Sequence, residues 1–205
     1  WRSTTTTTQH IVYDKGTAQR MTVEGVAMFG TNDQSIAIAM NNTDSWGSPS
    51  ALHTMTTTVV TNIEVQDVAG SLLELDAVLE GHLARGEGVG FYVRFTQGAM
   101  ADKTFEIIGH PRDAWLELAT NTTLGGQGIA SGDFCDIYAN KGYLDLGTTE
   151  QYRYMRLTFP NEATAEGDHR LGHIVPGLTM SNTVPMDWAF SDAQMGNVTR
   201  RRTTS

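Results

Sequence analysis

With one cysteine, five prolines and fourteen basic residues among 205, this sequence is defined first by what it cannot do. Cys135 has no partner, so an intrachain disulfide framework is excluded and the fold must rest on apolar burial and backbone pairing. No cation neighbours Cys135 to stabilise a thiolate, so it reads as a small buried hydrophobe, in keeping with folding in a reducing cytoplasm. No run approaches the roughly 18 apolar residues of a membrane-spanning helix. No basic-then-apolar signal stands at the start. Positive charge is scarce: 23 acidic residues give a formal net charge of −9, and the one basic cluster, Arg200-Arg201-Arg202, sits at the end. Phosphate backbones and anionic headgroups both require a basic surface, so the reading is no nucleic acid and no membrane insertion. The opening at Trp1 without an initiator methionine, and the polar tail to Ser205, read as a segment of a longer chain or one processed at its start.

What remains is a chain of short, alternating segments. Tyr152 to Phe159 places Met155, Leu157 and Phe159 on one face and Tyr152, Tyr154, Arg156 and Thr158 on the other, the period of a half-buried strand. Leu171 to Val175 reads as a second strand, reached through the polar connection Asn161 to Arg170, which is expected to be solvated or to contact a subunit. Upstream, five threonines lead into a strand from about Gln9. Met21 to Phe29 is apolar on both faces and so reads as central, and Ser35 to Met40 follows. Ser71 to Leu83 fits both a helical stripe and a strand face; the surrounding threonine, valine and glycine favour a hairpin. Further strands are expected at Phe91 to Phe95, Lys103 to Ile108, Trp115 to Ala119, Phe134 to Tyr138 and Met186 to Ser191. Such a succession predicts an all-β fold, a jelly-roll-like sandwich of antiparallel sheets. Trp1, Met28, Val93, Phe105, Met155, Leu157 and Phe159 are the expected core.

With the strands placed, the ends of the chain resemble the discoidin, or coagulation-factor type C, family of galactose-binding-like modules. At the start the likeness lies in Trp1, the strand closing on Asp14 and Gly16, and the apolar Val23 to Gly30 running into Thr31-Asn32. At the close it lies in the alternation from Tyr152 to Leu157. Together with Leu171 to Gly177, Trp188 and the basic-threonine end, it looks like the modules carried by tail and tail-fibre proteins of tailed bacteriophages. The resemblance covers roughly residues 1–50 and 145–205, and within the middle, longer than the simple module requires, residues 62–130 read as an inserted or elaborated hairpin region of a single domain. It implies a virion protein assembled in a bacterial host cytoplasm. It also implies contacts with other virion subunits, a homo-oligomer, and adhesion to host-surface glycan. Extracellular members of the family close the domain with a disulfide, which one cysteine cannot make.

The residues themselves give little support to catalysis. His169 and His173 have metal-like spacing, but four residues along a strand span about 13 Å, too far to share one ion. They read instead as a surface-loop histidine and a strand-end histidine. Asp133 and Asp136 point to opposite faces of a strand and make no carboxylate pair. Gly125 to Gly128 lacks the lysine of a phosphate loop, and no nucleophile elbow occurs. The sequence therefore predicts no catalytic residue, no metal centre and no enzyme, with a glycan-active hydrolase as the outlying alternative. Sugar recognition draws on aromatic faces and polar loop groups. Asn32, Asp33 and Trp46 are the candidate ligand-binding set, and Tyr152, Tyr154 and Arg156 the candidate partner-facing one. The plainer and weightier reading of Trp46 is that it covers the edge of the core. A structural calcium between Asn32 and Asp44 is the one cofactor entertained, without the spacing of an EF-hand.

Overall fold

Alternating side chains demand two sheets with a core between them, and the computed structural model, which describes residues 1–161, 164 and 167–177, is all-β and antiparallel. Its strands are β1 (Gln9–Asp14), β2 (Met21–Phe29), β3 (Ser35–Asn41), β4 (Ala51–Thr56), β5 (Thr58–Ala69), β6 (Leu72–Leu75) and β7 (Tyr92–Phe95). They continue with β8 (Thr104–Arg112), β9 (Trp115–Leu118), β10 (Phe134–Tyr138), β11 (Lys141–Tyr152), β12 (Tyr154–Phe159) and β13 (His173–Gly177).

Two cores result. A four-stranded sheet ordered β1-β12-β3-β4 and a three-stranded sheet ordered β11-β2-β13 bury Val23, Val26 and Met28 of β2 against Ile36, Ile38, Met40, Met55, Met155, Leu157 and Phe159. Between β4 and β11 the chain builds a closed six-stranded barrel, ordered β10-β5-β6-β9-β8-β7. Its interior holds Val65, Leu73, Leu75, Val93, Phe95, Ile107, Leu116 and Ile137. Each fully buried aliphatic or Phe side chain contributes about 1.5–3 kcal/mol, and closure removes the sheet edges that would otherwise invite further pairing.

The alternation of β12 is as read, with Met155, Leu157 and Phe159 buried. Met28 and Val93 are buried too, while Phe105 is partly covered and meets Phe95 edge-on at 5.9 Å. Trp1 departs from expectation: it is 47 % exposed, its ring lying on Phe159 at 4.7 Å as a lid over the sandwich core. β12 and β13 are not neighbours either. β12 pairs with β1 and β3, whereas β13 pairs with β2 in the opposite sheet. Tyr152 ends β11 rather than starting β12, since the chain turns at Arg153, whose carbonyl accepts from Lys15 N–H. Ser71 to Leu83 combines both of its templates. Leu73 and Leu75 enter the barrel from β6, and Asp76 then accepts from Val78 N–H to start a 3-10 turn, Ala77–Gly81, that seats Leu79 in the same core. The strand expected at Met186 to Ser191, with Trp188, lies outside the described residues, as does Arg200 to Arg202.

Sandwich and barrel meet at the loop after β2. Gln34 donates from Nε2 to Asp136 (3.1 Å), accepts from Arg94 Nη1 (3.4 Å), and offers its carbonyl to Thr57 N–H (3.0 Å). Tyr138 Oη donates to the Asn32 carbonyl (3.3 Å).

Candidate functional site

Two of the three residues proposed to hold a ligand are interior. Asn32 and Asp33 are 0 % exposed, a correction to the exposed-loop reading. Asn32 Nδ2 donates to the Asp168 carbonyl (2.7 Å) while its Oδ1 accepts from Arg170 N–H (2.8 Å). Asp33 Oδ1 lies 2.5 Å from Nδ1 of His169, which is itself fully buried. His169 Nε2 faces the Thr7 carbonyl at 3.1 Å. That carbonyl only accepts, so Nε2 carries a proton; the contact at Nδ1 then uses a second one, shared between imidazole and carboxylate. Neither side chain is free to meet a sugar or a calcium ion.

The same contacts correct the reading of His169 as a surface-loop histidine, although Asn161 and Gly167 of the same connection are exposed. Thr164, Asp168 and His169 are buried. Ser3 N–H donates to the His169 carbonyl, and His169 N–H to Ser3 Oγ. Asp168 receives both Arg2 and Arg170. Two glycines permit this close approach. Gly30 adopts φ +68° with the Gly172 backbone 3.2 Å from where a Cβ would stand, and a Cβ on Gly172 would lie 3.0 Å from the Phe29 carbonyl. His173 begins β13 and is exposed.

Trp46 has a different setting. The outer face of the four-stranded sheet carries Val12, Arg156, Ala39 and Leu52 in one row across β1, β12, β3 and β4. Val12 is 46 % and Leu52 65 % exposed. The loop from Asn41 to Ser50 returns over this face: Asn41 Nδ2 donates to the Ser45 carbonyl (2.7 Å), and its Oδ1 accepts from Ser50 Oγ (2.8 Å). Trp46, half-buried, is thereby set over the Arg156 guanidinium at 4.8 Å, with its Nε1 donating to Asp44 (2.8 Å). The Arg156 guanidinium makes no hydrogen bond or ion pair to any described residue, and its Nε is buried. Beside it, Tyr154 lies under Arg153 at 4.5 Å. Arg153 is engaged by both oxygens of Asp14 at 2.8 Å each, and that hydrogen bonding holds the Asp14 carboxyl down to about 2. Of the partner-facing set, Tyr154 and Arg156 therefore share this outer face. Tyr152 does not: it packs against the sandwich core from the other sheet.

The remaining titratable groups are dispersed. Burial pushes the Cys135 thiol far up, as for an inert core residue. His53 and Glu150 approach to 3.5 Å where β4 and β11 close the sandwich. A shallow open hollow beside the barrel is lined by Val60, Asn62, Glu64, Asp76, Val78 and Phe134, but Asp76 is spent on its 3-10 turn. Among the described residues no three His, Cys, Asp or Glu side chains gather as a metal site, and no helix is long and apolar enough to cross a membrane.

No family model matches the chain, and comparison with curated proteins and with solved structures finds no match in either.

Proposed function

We propose that the chain is a structural and adhesive component of a bacteriophage particle, in its tail or tail-fibre apparatus, working by surface complementarity with neighbouring virion subunits, copies of itself included, and with host-surface glycan. The observation that carries this reading is the outer face of the four-stranded sheet, where exposed Val12 and Leu52 flank the Trp46–Arg156 stack. Strands present an aromatic and a cationic group there beside exposed aliphatic ones, and aromatic residues and arginine are the types enriched at contact surfaces. Support also comes from the resemblance of the chain's ends to discoidin-like modules. Asn32, Asp33, Asp168 and His169, for their part, are committed to one another and to the backbone around them rather than aimed into a hollow.

The test is the protein's place in assembled particles. A density map should show this face against a neighbouring subunit or at the particle surface, and Leu52→Asp should lower the assembled mass measured by light scattering. A protein absent from particles, monomeric at all concentrations and indifferent to Leu52→Asp, would overturn the reading. The same face supports a second reading, a carbohydrate-binding module, because the half-buried Trp46 lies on a guanidinium that no described residue pairs.

A further inference from the structure

We infer that the Trp46–Arg156 stack is a carboxylate-binding subsite, and that its ligand is a saccharide carrying a single carboxylate on an otherwise neutral framework. This rests on the adhesive half of the function proposed above and names its ligand class.

The state of Arg156 carries the inference. A guanidinium is always charged and has five N–H donors. Here it lies against an indole, its Nε is shielded from water, and no described residue gives it an anion or an acceptor. Its neighbour shows the contrast. Arg153 also lies on an aromatic ring, but its fork is filled by both carboxylate oxygens of Asp14. Arg156 is arranged in the same way with that anion missing. The planar fork of a guanidinium matches a carboxylate in bidentate geometry, and the stack on Trp46 fixes the plane in advance, so little freedom is lost on binding.

The surroundings favour a sugar as the carrier. The elements that frame the stack carry exposed hydroxyl and amide groups, Asn42, Thr43 and Ser45 on the loop and Thr54 on β4, while the Asp44 carboxylate is taken up by the indole N–H. Such groups meet ring hydroxyls, and the half-covered indole supplies an apolar plate. The net charge of −9 limits the ligand to one carboxylate, because a polyanion would be repelled by the molecule as a whole.

The test uses the chain with methyl β-D-glucuronide, its 6-methyl ester and methyl β-D-glucoside, read by saturation-transfer NMR and calorimetry. The glucuronide should bind saturably, with the ester and the glucoside weaker by about tenfold or more, the factor for one charge-assisted contact. Arg156→Lys keeps the charge and loses the fork, and should weaken the glucuronide by a similar factor, while Trp46→Leu should abolish its signal. Arg112→Lys, at the distant stack on Trp115 of the barrel, should bind as the unaltered chain does, and matching circular dichroism establishes that each variant folds. Equal binding of all three sugars, unchanged in Arg156→Lys, would overturn the carboxylate subsite and leave glycan adhesion standing. No binding of any of the three by the folded chain would overturn the subsite and the glycan half of the proposed function together.

Discussion

The pairing of Asp33 with His169 places two ionisable side chains where water does not reach, and each depends on the other for its stability. Removing one partner of such a pair strands the other, at a cost of about 3–5 kcal/mol. Asp33→Ala should therefore lower the unfolding free energy measured in urea by an amount of that order, and the combined Asp33→Ala/His169→Ala change should cost less than the two single changes added together. His110 is the opposite case. It is buried, its Nδ1 beside Gly88, with no partner in hydrogen-bond geometry at either ring nitrogen. Burial lowers its pKa from the ordinary 6.5, more than the carboxylate and backbone of Asp113 raise it. The unfolded chain therefore takes up the proton first as pH falls. The stability tied to neutral His110 is complete above about pH 6.5 and is lost below it. Thermal midpoints measured from pH 8 to pH 5 should fall on the acid side, and the fall should shrink in His110→Phe.

Among the elements, the crossing of residues 167–172 over the loop after β2 depends on two missing side chains. Gly30→Ala adds strain at a positive φ as well as a contact with the Gly172 backbone, and Gly172→Ala presses on the Phe29 carbonyl. Each should destabilise by about 1–3 kcal/mol, seen in denaturant midpoints, and should loosen the N-terminal residues that His169 and Asp168 hold, seen as faster amide exchange at Ser3. These elements also mark how far the sequence could be read. β12 was legible because alternation is local: Met155, Leu157 and Phe159 announce their face within five residues. Asn32 and Asp33 were misread because polar residues in a turn signal solvent unless their partners are known, and those partners lie 136 and 138 residues away. Tyr152 was misplaced for a related reason, since period two runs unbroken through Arg153 while the chain there changes sheets. Trp46 was noticed as an aromatic on a loop, but nothing near it in sequence indicates that its ring lies on Arg156.

For the molecule as a whole, the loop that buries Asp33 also joins the two cores through Gln34. If that joint transmits stability, Gln34→Ala should leave each core intact and split one cooperative unfolding transition into two, resolved by calorimetry or by separate exchange rates for β3 and β7. The loss in overall stability should be small, on the order of 1 kcal/mol for the hydrogen bonds removed. A cavity made in one core would then be felt mainly there: Leu73→Ala should cost about 2–5 kcal/mol, spread over both cores in the parent chain and confined to the barrel in the Gln34→Ala background.

The chain enters the barrel at Thr57 and leaves it at Ala139, and the N–H of Ala139 donates to the carbonyl of Thr57 at 2.7 Å. Both crossings of the chain are therefore made at one point, with the Gln34 and Asn32 contacts as the further ties between barrel and sandwich. A segment tied in this way has its own ends in register with each other, so it can be cut out and closed into a ring, or replaced by a short turn, without asking the sheets on either side to move.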